Sequence, residues 1–236
     1  MITLNIAGVT VGVDNRYPLL EWNCEEHRSA EEPLFTVSAA DSEVQAEYDR
    51  LEGAFSLAAC ESNCLYRQVS LGMLDYDAFL LHAAVVAVDG EGYAFTAPGG
   101  TGKSTHARYW MQEFGDRAVM VNGDKPILRL IEDRFYVCGS PWRGKERLGN
   151  ADMVPLKAFC LLERGVTNEI VPVKPEAALD KIFQQVLLPQ TPELVIKQLD
   201  LLDKLLGLVP VYHLKCNLSQ EAARVAYEGM HGERSR

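Results

Sequence analysis

One stretch constrains the fold of this chain more than any other: Ala97-Pro98-Gly99-Gly100-Thr101-Gly102-Lys103-Ser104, entered from an apolar segment and left through an amphipathic one. Phe79 to Val88 (FLLHAAVVAV) is a near-continuous apolar run, and Asp89-Gly90-Glu91-Gly92 turns the chain after it. Tyr93 to Thr96 reads as a short second strand that delivers the chain into the glycines. Thr105 to Phe114 reads as a helix, with Ala107, Trp110, Met111 and Phe114 on one face and Gly115 as its stop. In a strand, glycine-rich loop and helix so ordered, successive backbone N–H groups point inward and the helix start adds the positive end of its dipole. Such a loop cradles phosphate. The pattern predicts a nucleoside triphosphate held by Gly99, Gly100, Thr101, Gly102, Lys103, Ser104 and Thr105. Lys103 is placed to neutralise the β- and γ-phosphates, and the Ser104 hydroxyl to sit on Mg²⁺.

Composition narrows the classes. The 236 residues are 47% hydrophobic and 24% charged, which suits one substantial domain or one with a small appendage. A formal net charge of −10 argues against sequence-independent nucleic-acid binding, which needs basic surface to displace counterions. No apolar run approaches the roughly 20 residues of a membrane span, and the N-terminal MITLNIAGVTVGVD lacks the positive start of a secretory signal. The six cysteines (Cys24, Cys60, Cys64, Cys138, Cys160 and Cys216) are scattered without a CxxC pair. They read as buried, reduced thiols of a cytoplasmic protein.

Residues 1–75 form a strand-rich N-terminal α+β subdomain, with strands at Ile2–Val13 and Leu34–Ser38 and a helix at Ser62–Met73. From residue 76 to 230 strands and helices alternate. Strands are expected at Val119–Val121, Ile127–Ile131, Phe135–Cys138, Phe159–Leu162 and Val211–Cys216. Helices are expected at Pro175–Leu188, from Thr191 to a stop at Gly207, and at Ser219–Met230. In the second of these, Val195, Leu199, Leu202 and Leu206 form the apolar stripe. Residues 231–236 read as a tail.

A phosphate loop needs an acid at the end of a neighbouring strand to hold Mg²⁺. Asp124, following the apolar Val119–Val121, is the candidate, with a turn-forming aspartate as the plainer reading; Glu146 is the next acid in line. Gly139-Ser140-Pro141-Trp142-Arg143-Gly144-Lys145-Glu146-Arg147 packs three cations into a loop with two glycines. Arg143 offers planar bidentate contacts to a phosphoryl group and Lys145 a point charge; a solvated turn anchored by Trp142 is the alternative. His82, inside the apolar run, reads on its own as a hydrogen-bonded core residue. His27, His106, His213 and His231 carry no functional context.

Together these motifs resemble the P-loop kinases of the HPr kinase and ATP-dependent phosphoenolpyruvate carboxykinase superfamily, over roughly residues 79 to 165. Gly99–Thr105 is similar to the carboxykinase kinase motif SGTGKTT. Leu81-His82 stands where that family has an upstream histidine that helps bind metal and phosphate. Asn122-Gly123-Asp124-Lys125 resembles its acidic motif, with Gly123 in place of one of two consecutive aspartates. Arg143-Gly144 is similar to the Arg-Gly of the HPr kinase signature; the basic Pro-Gly-Arg-Asn element of HPr kinase is absent from the sequence. The resemblance implies an α/β P-loop kinase core of that type. It would use Mg·ATP, with Ser104 and Asp124 on the metal and Arg143 and Lys145 on the transferring group. Asp124 or His82 would orient a hydroxyl acceptor: a serine of a peptide or protein, or a small molecule. The alternatives are a nucleotide-binding regulatory module without transfer, and a small carboxykinase-like enzyme. Neither nucleic acid nor membrane is an expected partner, and a homo-oligomer is left open.

Overall fold

Alternation of Ile2, Leu4 and Ile6 builds a hairpin: β1 (Ile2–Ile6) and β2 (Val9–Asp14) pair antiparallel, and β3 (Phe35–Ser38) adds parallel to β2. The computed structural model from which these elements are read describes residues 1–232; residues 233–236 of the expected tail lie outside the described residues. Two helices join this sheet in one hydrophobic cluster, α1 (Asp41–Arg50) and α2 (Leu57–Gly72). α2 begins earlier than the expected Ser62 because the Ser56 hydroxyl accepts the Ala59 N–H at 3.3 Å and caps it. α1 was not anticipated. The same cluster takes in Ala78, Leu80, Ile127, Cys138 and Trp142 from later in the chain.

The apolar run Phe79–Val88 is two strands rather than one. β4 (Ala78–Leu80) and β5 (Ala84–Val88) are separated at Leu81-His82-Ala83. The N–H groups of these three residues donate to Pro126, Gln185 and Asp124 carbonyls at 3.1, 2.8 and 3.1 Å, so no single neighbouring strand continues through them. Further on come β6 (Glu91–Thr96), α3 (Lys103–Phe114), β7 (Ala118–Asn122), β8 (Ile127–Ile131) and β9 (Arg134–Cys138). The rest is β10 (Met153–Arg164), β11 (Glu169–Val173), α4 (Pro175–Phe183), α5 (Pro192–Leu208), β12 (Val211–Cys216) and α6 (Gln220–His231).

The class is mixed α/β, with a curled nine-stranded sheet. Its order is β4-β8-β9-β10-β6-β5-β7, with β12 also on β10 and β11 on β12. β10 joins the parts: Met153–Pro155 pair antiparallel with β9, Leu156–Leu161 parallel with β6, and Phe159–Arg164 parallel with β12. Val85 and Ala87 face the cluster containing α4 and α5, whereas Ala84, Val86 and Val88 face that of α3 and α6. Burial on both faces is why β5 reads as continuous apolar sequence instead of alternation.

Packing corrects four expectations. α4 stops at Phe183, not Leu188, and α5 runs past Gly207 to Leu208. The buried face of α5 is Gln198, Leu201, Leu202, Leu205 and Leu206, and Leu199 is 44% exposed. So leucine-rich a helix offers more than one apolar stripe, and its neighbours select which is covered. β10 starts six residues before the expected Phe159 (at Met153), and β11 was not anticipated.

Candidate functional site

β6 carries the chain to Thr96, whose hydroxyl donates to the His82 carbonyl at 2.9 Å. The loop then curls at Gly100 and Gly102, with φ of +78° and +117°, values that favour glycine. Gly102 caps α3, its carbonyl accepting the His106 N–H at 2.8 Å. The first N–H groups of α3 have no partner within the helix, and they belong to residues lining a cleft of about 330 Å³. Gly99, Gly100 and Ser104 form one wall of it, and His82, Asp124 and Arg164 reach its others. Lys103 is only 7% exposed, and its ammonium folds back to donate to the Ala97 carbonyl at 2.9 Å. Burial pushes its pKa down, opposed by the Asp124 carboxylate.

Asp124 follows β7 in a turn built by a buried polar pair. The Asn122 side-chain oxygen accepts the N–H groups of Asp124 and Lys125 at 2.9 and 2.7 Å, and its amide donates to Ser140. The Ser140 hydroxyl donates to the Lys125 carbonyl at 2.6 Å. These bonds tie the acidic turn to the loop after β9. At Gly123 a β-carbon would stand 3.2 Å from the Leu148 carbonyl oxygen, a tight fit. The Asp124 carboxylate meets His82 Nε2 at 3.3 Å and the Lys125 ammonium at 3.0 Å. Burial works against its charge, but the His82 hydrogen bond and the Lys125 ammonium outweigh burial and hold its pKa below the usual carboxylate range.

His82 is therefore not the core residue that its sequence context suggested. Its side chain is 30% exposed, and its Nδ1 lies 3.1 Å from the Gln185 side-chain oxygen. Both ring nitrogens face oxygen atoms. His106, by contrast, is a core residue: it accepts from the Trp110 indole at 3.0 Å, and burial pushes its pKa down to about 3.

The loop Gly139–Arg147 sits on the other side of Asp124. Trp142 anchors it, the indole N–H donating to Ser62 at 3.2 Å. Arg143 lines a second cleft of about 350 Å³ with Ser104, Asp124 and Lys145. Its guanidinium donates to Glu26 at 2.6 Å and lies 3.5 Å from His27 Nε2. Burial, with Arg143 beside it, pushes His27 down to about 4, so this neutral ring can accept from the arginine. Lys145 is exposed, and Glu146 pairs with Arg108 at 2.8 Å. The structure thus brings Lys103, Ser104, Asp124 and His82 to one cleft, with Arg143 and Lys145 on the adjoining one.

Sequence reasoning missed Arg164. At the end of β10, its guanidinium donates to the Gly100 and Thr101 carbonyls at 2.5 and 3.0 Å. The available signal was a cation ending the strand that pairs beside β6, which only the sheet order reveals. It also missed the Asn122–Ser140 pair and Glu26.

The oxygens available suit Mg²⁺, which takes one or two protein oxygens and completes its shell with water and phosphate. Ser104 and Asp124 line the same cleft, and the Ser104 hydroxyl lies 3.5 Å from the Gly123 carbonyl. Among the described residues no group of three or more His, Cys, Asp or Glu could hold a metal alone. All six cysteines are free and buried. No helix among the described residues is long and apolar enough to cross a membrane.

No family model matches the chain, and no curated protein matches it. Among solved structures, the HPr(Ser) kinase/phosphatase from Coxiella burnetii aligns over 65% of this chain and 99% of its own, at 15% identity and a TM-score of 0.31. That is a distant, fold-level similarity and carries no argument about this chain's chemistry.

Proposed function

We propose that this chain is a Mg·ATP-dependent phosphotransferase acting on a hydroxyl acceptor. The observation that carries the reading is the cleft in which the glycine loop, the buried Lys103, Ser104, Asp124 and His82 converge. The loop N–H groups and Lys103 bind the β- and γ-phosphates, and Ser104 and Asp124 hold the magnesium. Mg²⁺ supplies neutralisation of charge on the phosphate oxygens. Asp124, kept ionised by His82 and Lys125, accepts a hydrogen bond from the acceptor hydroxyl and orients it; His82 steadies that carboxylate. The acceptor oxygen then bonds to the γ-phosphorus, the bond to the bridging oxygen breaks with its electron pair leaving on ADP, and the hydroxyl proton passes to Asp124. Arg143 and Lys145 stabilise the growing charge from the adjoining cleft.

A second reading is a nucleotide-dependent regulatory module without transfer. It is favoured by the presence of one carboxylate where the related motif has two, and by the engagement of Arg143 with Glu26. Titration calorimetry with Mg·ATP, followed by γ-labelled ATP with small-molecule and polypeptide pools from a source lysate, separates the two. Binding with label transferred to either pool supports the phosphotransferase. Binding with no transfer supports the module, and no binding removes both.

A further inference from the structure

A larger cleft, of about 460 Å³, opens between Asp124 and α2. Its size is that of a small-molecule site. One wall carries an apolar patch, Leu19 and Leu20 from the segment after β2, Phe55 from the turn before α2, and Ala59 and Tyr66 on α2, edged by the polar Asn23, Ser62 and Asn63. Phe55 is 45% exposed although it has the body of a core residue. The opposite wall carries Lys125, Arg143, Lys145 and Arg147, and among the lining residues Asp124 is the one carboxylate. Four cations against one acid is the reverse of the whole chain, whose formal net charge is −10. Lys125 and Arg143 are already paired, with Asp124 and Glu26. Arg147 lies over the exposed Trp22 ring at 4.8 Å. Among the described residues, neither Lys145 nor Arg147 has a carboxylate within ion-pair distance.

The walls are fixed to each other. Buried Glu61 of α2 accepts the N–H groups of Arg16 and Tyr17, each at 3.0 Å, which holds the Leu19 segment against the helix. Trp142 joins the loop to Ser62 of the same helix. Asp124 lies at the junction of this cleft with the one over Lys103.

We infer that this cleft is the acceptor site, and that the acceptor carries an anionic group and an apolar portion beside its hydroxyl. The inference rests on the phosphotransferase reading for the word acceptor; the ligand chemistry rests on the cleft alone. An apolar body lies on Phe55, Leu19 and Tyr66, the anion meets Arg147, and the hydroxyl is left at Asp124, which lines both this cleft and the one over Lys103.

The probe is anilinonaphthalene sulfonate, an anionic apolar dye, compared with the uncharged N-phenylnaphthylamine, both followed by fluorescence on the full chain. The sulfonate should bind saturably and about tenfold or more tighter than the neutral dye, as a charge-assisted contact implies. Ala59→Trp, which fills the cleft, should remove the site. Phe55→Glu, an exposed change that places a like charge against the anion, should weaken it about tenfold and guards against misfolding of the first variant. Arg147→Glu should do the same. Equal binding of the two dyes overturns the anionic acceptor, and sulfonate binding unchanged by Ala59→Trp and Phe55→Glu overturns the location. Mg·ATP affinity, measured beside these, should be unaltered in all three variants. Absence of nucleotide binding in the parent would remove the phosphotransferase reading and leave the dye result standing on its own.

Discussion

Gly144 is packed on Asp124 so closely that a β-carbon at residue 144 would come within 2.9 Å of the aspartate's own β-carbon. The glycine also holds a φ of +73°. The cationic loop reaches the carboxylate because residue 144 has no side chain. Gly144→Ala should therefore move the loop or the aspartate, with about 1–3 kcal/mol of strain. The transfer rate should fall more than thermal stability does. A normal single-turnover rate in a correctly folded variant would show that the contact is incidental to the chemistry.

Lys103→Ala should weaken ATP binding roughly ten- to hundredfold, the equivalent of a charge-assisted contact worth about 1.5–3 kcal/mol, and should abolish transfer. Titration calorimetry checks it. Unchanged triphosphate affinity would remove the glycine loop from the nucleotide site.

Asp124→Asn should leave metal-free nucleotide binding nearly intact while destroying the benefit of Mg²⁺. Affinity measured with and without magnesium decides it. If the variant depends on the metal as the parent does, the ligand is another acid, and Glu146, on the same cleft, is the one to replace next.

Arg143→Ala should lower the single-turnover rate by about 10³, the scale of arginines in phosphoryl transfer, with only a few-fold loss in ATP affinity. The tie to Glu26 and His27 means that some stability goes too, so a thermal melt accompanies the rate. A preserved rate in a destabilised protein would give the residue a purely structural role.

His27 sets an acid limb on stability. Its pKa falls from an ordinary value near 6.5 to about 4 in the fold, so below pH 6.5 the unfolded chain takes up a proton that the folded chain refuses. Stability is whole above pH 6.5 and is lost as pH falls toward 4, by on the order of 3 kcal/mol. His106 acts in the same direction. His27→Gln should flatten, without abolishing, the decline of Tm between pH 6.5 and 4. A parallel decline in variant and parent would mean that His27 is protonated in the native state.

Local grammar made the central unit legible: the glycine loop, α3 and the strand entering it follow from Gly99–Ser104 and the face of Ala107 and Trp110. Asp124 was legible as the polar end of an apolar strand. α1 was not, because its buried residues are Val44 and Glu47. Val44 enters the hydrophobic cluster with Tyr48 and Leu51 against it, but Glu47, held by Arg67 of α2 at 2.6 Å, puts a charge in the middle of that narrow face and hides it from an apolar-stripe reading. The break at His82 was hidden for a related reason: the two halves of an apolar run can enter different stretches of sheet with no change in composition. Arg164 and Glu26 act across long separations in the chain, and nothing local announces them.

The long strand β10 has a consequence for how the molecule comes to exist. Thr101 receives its contact from Arg164, a residue 63 positions later, and β6 finds its parallel neighbour only when that segment arrives. Parallel, distant pairings of this kind are slow to close. During synthesis the glycine loop therefore emerges well before the strand that braces it, and the apolar edge of β6 waits uncovered. A chain stopped short of β10 would present that edge to its neighbours, and an unpaired strand edge is a template for aggregation.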